Sequence, residues 1–244
     1  MYYTMIHSVF KKNNSFYCKN SFMHIIQSLV PIQYEDALMK MHSIVNDIIH
    51  HRSSNVIWFL EHNAIYTAGY TTYNEWKKLY GEQIICNGQS IPLIQTERGG
   101  KITFHGPGQR VCYLMVNLKE AYNELNLSKF LNYIHELIIQ TLREFGIHGI
   151  RDKVYPGVWI EEKNSLKKIA AIGIKIRRGI SYHGFALNIN TDMNFFDVIT
   201  PCGINDINRG VTSMASILNT QLFLSEVDVV MQKKIKNAKK YLEF

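Results

Sequence analysis

The chain has 244 residues, of which 46% are hydrophobic and 19% are charged, a balance typical of a folded globular protein rather than a disordered or fibrous one. No uninterrupted apolar run approaches the roughly 18 residues that a membrane-spanning helix needs. The 27 basic and 20 acidic residues give a net charge of +7, which reflects either solvated surface lysines or attraction to an acidic partner. Because no zinc-finger or RNA-recognition signature accompanies this charge, nucleic acid is not expected, and an acidic protein partner remains open.

The first 22 residues differ in composition from the rest. No Asp or Glu occurs before Glu35, and Lys, Asn, Ser, Tyr and Phe are frequent. A transit peptide is also poor in acidic residues, but it favours Arg, which this stretch lacks. We therefore predict that residues 1–22 are a disordered extension, with Met23 as an alternative start, and that residues 23–244 form a single domain.

Helices and strands alternate along this domain. Apolar residues recur at helical spacing over residues 35–51, and a buried strand follows at 55–61. Runs rich in Val, Ile and Tyr predict strands at 110–118, 157–161, 168–177 and 182–190, with a hairpin turn around Asn164 and Ser165. A second helix is predicted from Ser128 as N-cap to Phe145, ended by Gly146. A third begins near Ser225, with Asp228 completing a weak capping box.

The cysteines Cys18, Cys86, Cys112 and Cys202 stand far apart, with neither a Cys-x-x-Cys pair nor zinc-ligand spacing. We therefore expect no disulfide framework and no metal site. Unpaired cysteines are typical of a reducing compartment, where most are small buried residues and one can be kept for chemistry.

Residues 98–109, RGGKITFHGPGQ, are dense in glycine. Glycines let the backbone approach a ligand and leave N–H groups to bind it, although a tight hairpin also needs them. The spacing fits neither a Walker loop nor a dinucleotide fingerprint. Arg98 and His105 within the segment favour a binding site.

A second segment, residues 168–190, places small residues in what should be the widest part of the sheet. Small side chains there allow either tight packing or a channel for a ligand, and the residues alone leave both alternatives open. They are Ala170, Ala171, Gly173, Gly184 and Ala186. His183, in the same segment, is interpreted as a structural histidine.

A third segment, ITPCGI at residues 199–204, carries Cys202. Pro201 fixes the backbone on one side of this cysteine and Gly203 frees it on the other, which suits a thiol displayed on a rigid turn. Such a thiol becomes reactive when a nearby cation favours the thiolate.

Four motifs together resemble the octanoyltransferase family in order and approximate spacing. They are RGGKITFHGPGQ, KIAAIG at 168–173, HGFALN at 183–188 and PCGI at 201–204, and the stretch from WFLEH to YTAG at 58–69 is also similar. The resemblance covers about residue 24 to the C-terminal region. It implies an α+β fold in which a mixed β-sheet is flanked by helices, as in the catalytic domains of biotin and lipoate protein ligases.

The resemblance also implies an acyltransferase without a cofactor. Members of the family take an octanoyl group from octanoyl-acyl carrier protein, the donor. They place it on a lysine of the lipoyl domains of 2-oxoacid dehydrogenase E2 subunits or of the glycine-cleavage H protein, the acceptors. These proteins are typically acidic, which gives the net positive charge a natural partner, and neither nucleic acid nor a membrane is expected. We favour a cytoplasmic location, with the mitochondrion as the alternative.

The site residues follow from position in the motifs. Cys202 matches the family's acyl-thioester nucleophile, and Lys168 matches the lysine that acts with it. An ATP-dependent lipoate or biotin ligase of the same fold is the alternative, but such an enzyme makes an acyl-adenylate and has no need of Cys202. The segments matching those around the acyl chain and its thioester supply the candidate binding residues Arg98, Gly99, Gly100, Lys101, Ile102, Thr103, Phe104, His105, Ala171, Ile172, Gly173, Gly184, Phe185 and Ala186.

Overall fold

A computed structural model describes residues 23–152, 154–163, 165–199 and 209–237. The helices are α1 (Tyr34–Ile49), α2 (Tyr70–Tyr80), α3 (Leu118–Tyr122), α4 (Leu127–Glu144), α5 (Asn194–Asp197), α6 (Met214–Leu218) and α7 (Leu224–Asn237). The strands are β1 (Met23–Gln27), β2 (Asn55–Leu60), β3 (Ile65–Gly69), β4 (Gln83–Cys86), β5 (Gln89–Thr96), β6 (Thr103–His105), β7 (Gln109–Met115), β8 (Gly149–Arg151), β9 (Val158–Glu162), β10 (Ser165–Arg177), β11 (Ile180–Asn188) and β12 (Arg209–Val211). No helix in these ranges combines the length and apolar character needed to cross a membrane.

The strands form two sheets. The larger has the order β1-β2-β7-β11-β10-β9-β8, with β12 also pairing with β10, and the smaller has the order β4-β5-β3-β6. In the larger sheet, β1 runs parallel to β2 and β12 parallel to β10, whereas the other pairs are antiparallel. The fold is therefore mixed α+β, as predicted.

Helices cover both faces of the larger sheet because successive side chains of a strand point to opposite sides. Ile57 and Phe59 of β2 belong to a core shared with α4 and α7. Val56 and Trp58 of the same strand belong to a second core, shared with α1. Strand β2 is apolar throughout for this reason, since both of its faces are buried.

The long helices lie where the sequence predicts them, but one cap differs. Helix α4 begins one residue before Ser128, and Asn126 is its N-cap, accepting a hydrogen bond of 2.9 Å from the Lys129 amide. The prediction of Ser128 as N-cap is therefore wrong. Gly146 follows the helix with φ of +73°, the conformation expected of a C-terminal glycine.

Asp228 is not a capping residue either. Its side chain is buried, with Oδ1 lying 2.8 Å from Arg110 Nε of β7 and Oδ2 accepting a hydrogen bond of 2.7 Å from Gln27 of β1. Burial raises the pKa of this carboxyl, although the Arg110 guanidinium opposes the shift. The capping-box prediction is wrong because α7 packs against the sheet at this residue. Asp228 therefore bonds the helix to β7 through Arg110 and to β1 through Gln27.

Candidate active site

A cavity of about 260 Å³ lies on the α1 side of the larger sheet and includes residues of both sheets. Its size is near the lower end of the roughly 300 to 1,000 Å³ typical of small-molecule sites, which suits a small ligand. The lining residues are Tyr34, Arg98, Gly99, Gly100, Lys101, Ile102, Thr103, His105, Val111, Tyr113, Tyr155, Pro156, Lys168, Ala171, Ile172, Gly173, His183, Gly184, Phe185 and Ala186.

The structure brings the predicted segments together around this cavity. All the candidate binding residues line it except Phe104. Thr103 and His105 of β6 face the cavity, so the intervening Phe104 points to the other side of the strand. There it stacks on Phe195 with ring centroids 4.4 Å apart, in the core of the smaller sheet. Phe104 therefore packs in the core of the smaller sheet rather than in the cavity lining, and its selection as a binding residue stays a prediction.

Arg98 holds the glycine-rich loop in place. Its Nη2 donates to the Thr67 carbonyl oxygen at 2.7 Å and to the Thr67 hydroxyl at 2.8 Å, both on β3 of the smaller sheet. On the other side of the loop, a methyl group added to Gly173 of β10 would come within 3.1 Å of the Gly99 carbonyl oxygen. The loop therefore bridges the two sheets and forms one wall of the cavity.

The small residues serve both purposes that the sequence left open. Gly184 allows tight packing, because a Cβ there would overlap the Cys112 carbonyl oxygen of the neighbouring strand β7. Ala171, Gly173 and Ala186 line the cavity and leave room for a ligand beside the sheet. Packing and channel are thus not exclusive, because Gly184 also lines the cavity and Gly173 also packs closely against Gly99.

Lys168 is buried at one end of the cavity, with 5% of its surface exposed. Its Nζ lies 4.8 Å from the centre of the Trp159 ring. A register shift between Lys168 and Ala170 interrupts the pairing of β10 with β9, and bulges of this kind re-aim side chains next to active sites. Gly157, with φ of +123°, makes room for the lysine, because a Cβ there would lie 3.4 Å from Lys168 Cδ and Cε.

Cys202 lies outside the described residues, but both flanks of its segment reach Lys168. Val211 of β12 pairs with Lys168, and the Thr212 amide donates to the Lys168 carbonyl oxygen at 3.0 Å. Before the segment, Phe196 of α5 lines a small crevice together with Lys168 and Val211. Phe196 before the segment and Val211 after it therefore both lie near this lysine.

Several cavity residues escaped the sequence analysis. No motif singles out five residues that line the cavity: Tyr34, Val111, Tyr113, Tyr155 and Pro156.

Tyr113 is hydrogen-bonded to His62, whose Nε2 lies 2.7 Å from the Tyr113 hydroxyl oxygen. Since His62 Nδ1 lies 2.8 Å from the Ile32 carbonyl oxygen, which can only accept, Nδ1 carries the proton and the Tyr113 hydroxyl donates to Nε2. Burial lowers the pKa of His62 to about 4, which keeps it neutral.

His105 is fixed in one tautomer by a similar argument. Gln109 Nε2 donates to the Phe104 carbonyl oxygen at 3.1 Å and to Asn188 Oδ1 at 3.0 Å, so Gln109 Oε1 is the acceptor. His105 Nδ1, 2.7 Å from this oxygen, therefore carries the proton. Burial, assisted by the nearby Arg98 guanidinium, holds the pKa of His105 well below its usual value.

His183 does not behave as the satisfied structural histidine that the sequence suggested. It is 1% exposed, and its Nε2 has no hydrogen-bond partner among the described residues. Its backbone has φ of +59°, a conformation that is uncommon outside glycine and that clusters at functional sites. Burial, assisted by Arg98, lowers the pKa of His183 to about 3, so the ring is neutral.

No group of three or more His, Cys, Asp or Glu side chains within the described ranges is placed to hold a metal ion. The polar groups of the cavity are instead a buried lysine, an arginine, tyrosines and neutral histidines. Lys101 and Thr103 also line the cavity, and apolar strand residues complete its lining.

Comparison with known proteins agrees with the fold and the motifs. The family described as the lipoyl protein ligase A/B catalytic domain matches residues 33–236. The octanoyltransferase of Ehrlichia ruminantium (strain Gardel) is 37% identical over 209 residues, which cover 86% of this chain and 94% of the relative. That of Rickettsia canadensis (strain McKiel) is 39% identical over 202 residues, covering 82% and 90%.

Solved structures share the fold at low sequence identity. The bipartite lipoate protein ligase of Thermoplasma acidophilum, described with its E2 lipoyl domain, has a TM-score of 0.62 at 15% identity and covers 91% of this chain and 84% of its own. A lipoate-protein ligase A bound with ATP has a TM-score of 0.59 at 14% identity, covering 89% and 85%. These structural similarities show the fold alone, whereas the sequence relatives at 37% and 39% identity show the family. The chain belongs to the lipoyl protein ligase A/B catalytic-domain family and, within it, to the octanoyltransferases, which are acyltransferases.

Proposed function

We propose that the protein transfers an octanoyl group from octanoyl-acyl carrier protein to a lysine of a lipoyl domain, through a thioester on Cys202. The observation that carries this proposal is the buried Lys168 at the end of the cavity, with both flanks of the Cys202 segment beside it. The octanoyltransferase names of the relatives support octanoyl as the transferred group. The E2 lipoyl domain described with the Thermoplasma ligase supports a lipoyl domain as the acceptor.

In the first half-reaction, the Cys202 thiolate attacks the thioester carbonyl of the donor and displaces the thiolate of acyl carrier protein, which takes a proton from the Lys168 ammonium and leaves as the thiol. An ordinary cysteine, with a pKa of about 8.5, is only a few per cent thiolate at neutral pH. An ammonium about 4 Å away would stabilise the thiolate by roughly 4 kcal/mol at an effective dielectric near 20, before desolvation opposes it. Lys168 is the cation we assign to this role.

In the second half-reaction, the amine of the acceptor lysine attacks the Cys202 thioester. An amide forms, the Cys202 thiolate is released, and the proton of the attacking amine passes to the neutral Lys168, which restores the ammonium beside the thiolate. Because the donor is already a thioester, the first transfer is close to neutral in free energy and amide formation is downhill. The reaction therefore requires no ATP.

The cavity supplies binding energy for the acyl chain. Burying the methylenes of an octanoyl group at about 0.8 kcal/mol each would contribute roughly 5 kcal/mol. We assign the binding of the acyl chain to the wall made by Ala171, Ile172, Gly173 and Ala186, with the loop of Arg98 opposite. The loop also excludes water, because it closes the space between the two sheets.

The test is incubation of the full chain with octanoyl-acyl carrier protein in the absence of ATP, followed by intact-mass measurement. We expect an octanoyl increment that hydroxylamine removes. Cys202→Ser should carry no hydroxylamine-sensitive thioester, and Lys168→Met, which keeps a long apolar side chain, should form it far more slowly. A requirement for ATP, or an unchanged thioester on Cys202→Ser, would overturn the proposal in favour of a ligase mechanism.

A further inference from the structure

The cavity runs along two paired strands, so the strand register locates its ends. Ala171 pairs with Ala186, Gly173 with Gly184, and Ile174 with His183. Lys168 and His183 therefore lie at opposite ends of the part of the cavity that follows the sheet. Leaving out the bulged residue, five regular steps of about 3.3 Å separate them, a backbone distance of roughly 17 Å.

The span available to hydrocarbon is shorter than this backbone distance, because both end side chains line the cavity. Between them lie the small residues Ala171, Gly173, Gly184 and Ala186. With carbon–carbon bonds of about 1.5 Å, an extended eight-carbon chain measures roughly 9 Å from its carbonyl carbon to its methyl carbon. A chain of this length, attached beside Lys168, is shorter than the backbone distance and would lie over these small residues on its way toward His183.

The end of the cavity away from Lys168 is polar. Arg98 and the hydroxyl-bearing rings of Tyr34 and Tyr113 line it together with His183. Arg98 is bonded to Thr67, and the Tyr113 hydroxyl donates to His62. Two groups at this end differ, because the Tyr34 hydroxyl and the buried His183 Nε2 have no hydrogen-bond partner among the described residues, and the His183 ring is neutral.

We propose that this polar end, formed by Tyr34, Arg98, Tyr113 and His183, limits the length of the acyl chain, and that His183 is the residue that decides it. The inference rests on the proposed function, since the acyl chain must start beside Lys168. A chain longer than eight carbons would press methylenes against His183 Nε2. Hydrocarbon offers this nitrogen no hydrogen bond, whereas water entering the cavity does, and this difference lowers affinity by about ten- to a hundredfold.

This proposal differs from a simple steric stop, and two substitutions separate the alternatives. His183→Leu keeps a side chain of similar size but removes the polar nitrogen. His183→Asn is smaller and remains polar, and Asn tolerates a positive φ better than most residues. If polarity sets the limit, only the leucine variant accepts longer chains, whereas a steric limit would be relaxed mainly by asparagine.

The experiment measures kcat/KM for octanoyl-, decanoyl- and dodecanoyl-acyl carrier protein with a lipoyl domain as acceptor. The readout is the ratio of the dodecanoyl to the octanoyl value within each variant, so a general loss of activity cancels. We expect the ratio to rise about tenfold in His183→Leu and to stay near the wild-type value in His183→Asn. An unchanged ratio in His183→Leu, or an equal rise in both variants, would overturn the inference.

If His183→Leu does not fold, Tyr34→Phe provides the second variant, because it removes one hydroxyl from the same end of the cavity. It should shift the ratio in the same direction by a smaller factor, and no shift would contradict the proposal. Wild-type turnover of octanoyl-acyl carrier protein in the same assay tests the proposed function separately. If the wild-type protein uses this donor and the ratios do not change, only the inference about chain length fails.

Discussion

Gly157→Ala should be strongly destabilising, because Gly157 occupies a position that no other residue can adopt without strain. Its φ is +123°, and a Cβ there would overlap the Ala170 carbonyl oxygen of the adjacent strand. A strained backbone costs about 1–3 kcal/mol, and overpacking against a fixed backbone atom costs about as much again. We therefore expect the substitution to lower the free energy of unfolding by roughly 2–6 kcal/mol, measured by urea denaturation.

Gly210→Ala is the matched control on β12. Its φ is not positive, and the nearest atom to an added Cβ is Lys167 Cγ at 3.9 Å, so its stability should change by less than about 0.5 kcal/mol. Octanoyl transfer should fall in Gly157→Ala as well, because relieving the overlap with the Ala170 carbonyl oxygen shifts the strand that carries Lys168. If the two alanine variants unfold within about 1 kcal/mol of each other, the strain argument at Gly157 is incorrect.

Three further predictions concern charge. Asp228→Ala should lower the free energy of unfolding by about 3–5 kcal/mol, because it leaves the buried Arg110 without its partner. The double substitution Arg110→Met with Asp228→Leu removes both charges and should recover most of this loss. Urea denaturation of both variants measures the two values. The pKa of His62 is lowered to about 4 in the folded protein, below the roughly 6.5 of the unfolded chain. The contribution of neutral His62 to the free energy of unfolding is therefore complete above pH ~6.5. It is lost as the pH falls toward 4, because the unfolded chain takes up the proton first. Unfolding measured across this range should show a shallower pH dependence in His62→Gln than in the wild type. The KM for acyl carrier protein should rise with ionic strength if the net charge of +7 steers an acidic donor, and a flat dependence would show that it does not.

Local pattern predicted the elements well where burial is regular. The helix predicted at residues 35–51 corresponds to α1 (Tyr34–Ile49), and the strand predicted at 182–190 corresponds to β11 (Ile180–Asn188). The alternation of side chains between two buried faces produces these signals directly. The predictions of Ser128 and Asp228 as capping residues are wrong because a cap and a buried ion pair depend on where the helix meets the rest of the protein.

The site was predictable only in part. The motifs containing Arg98, Lys168 and Gly184 identified one wall and one end of the cavity, because each motif is contiguous in the sequence. Tyr34 and Tyr113 come from a helix start and a central strand, and only the packing of α1 on the sheet brings them to the same place. The open nitrogen of His183 likewise has no sequence signal, since it depends on which partners the fold provides.

The loop held by Arg98 links ligand occupancy to the cohesion of the two sheets. Its guanidinium is bonded to Thr67 of the smaller sheet, while its Gly99 carbonyl rests against Gly173 of the larger one. The cavity therefore cannot widen without separating these sheets, and a ligand that fills it favours the state in which they are joined. The backbone amide hydrogens of β3 and β6 should therefore exchange with solvent more slowly in the acylated protein than in the free protein. Hydrogen exchange in these two strands, neither of which carries Lys168, would then detect the first half-reaction.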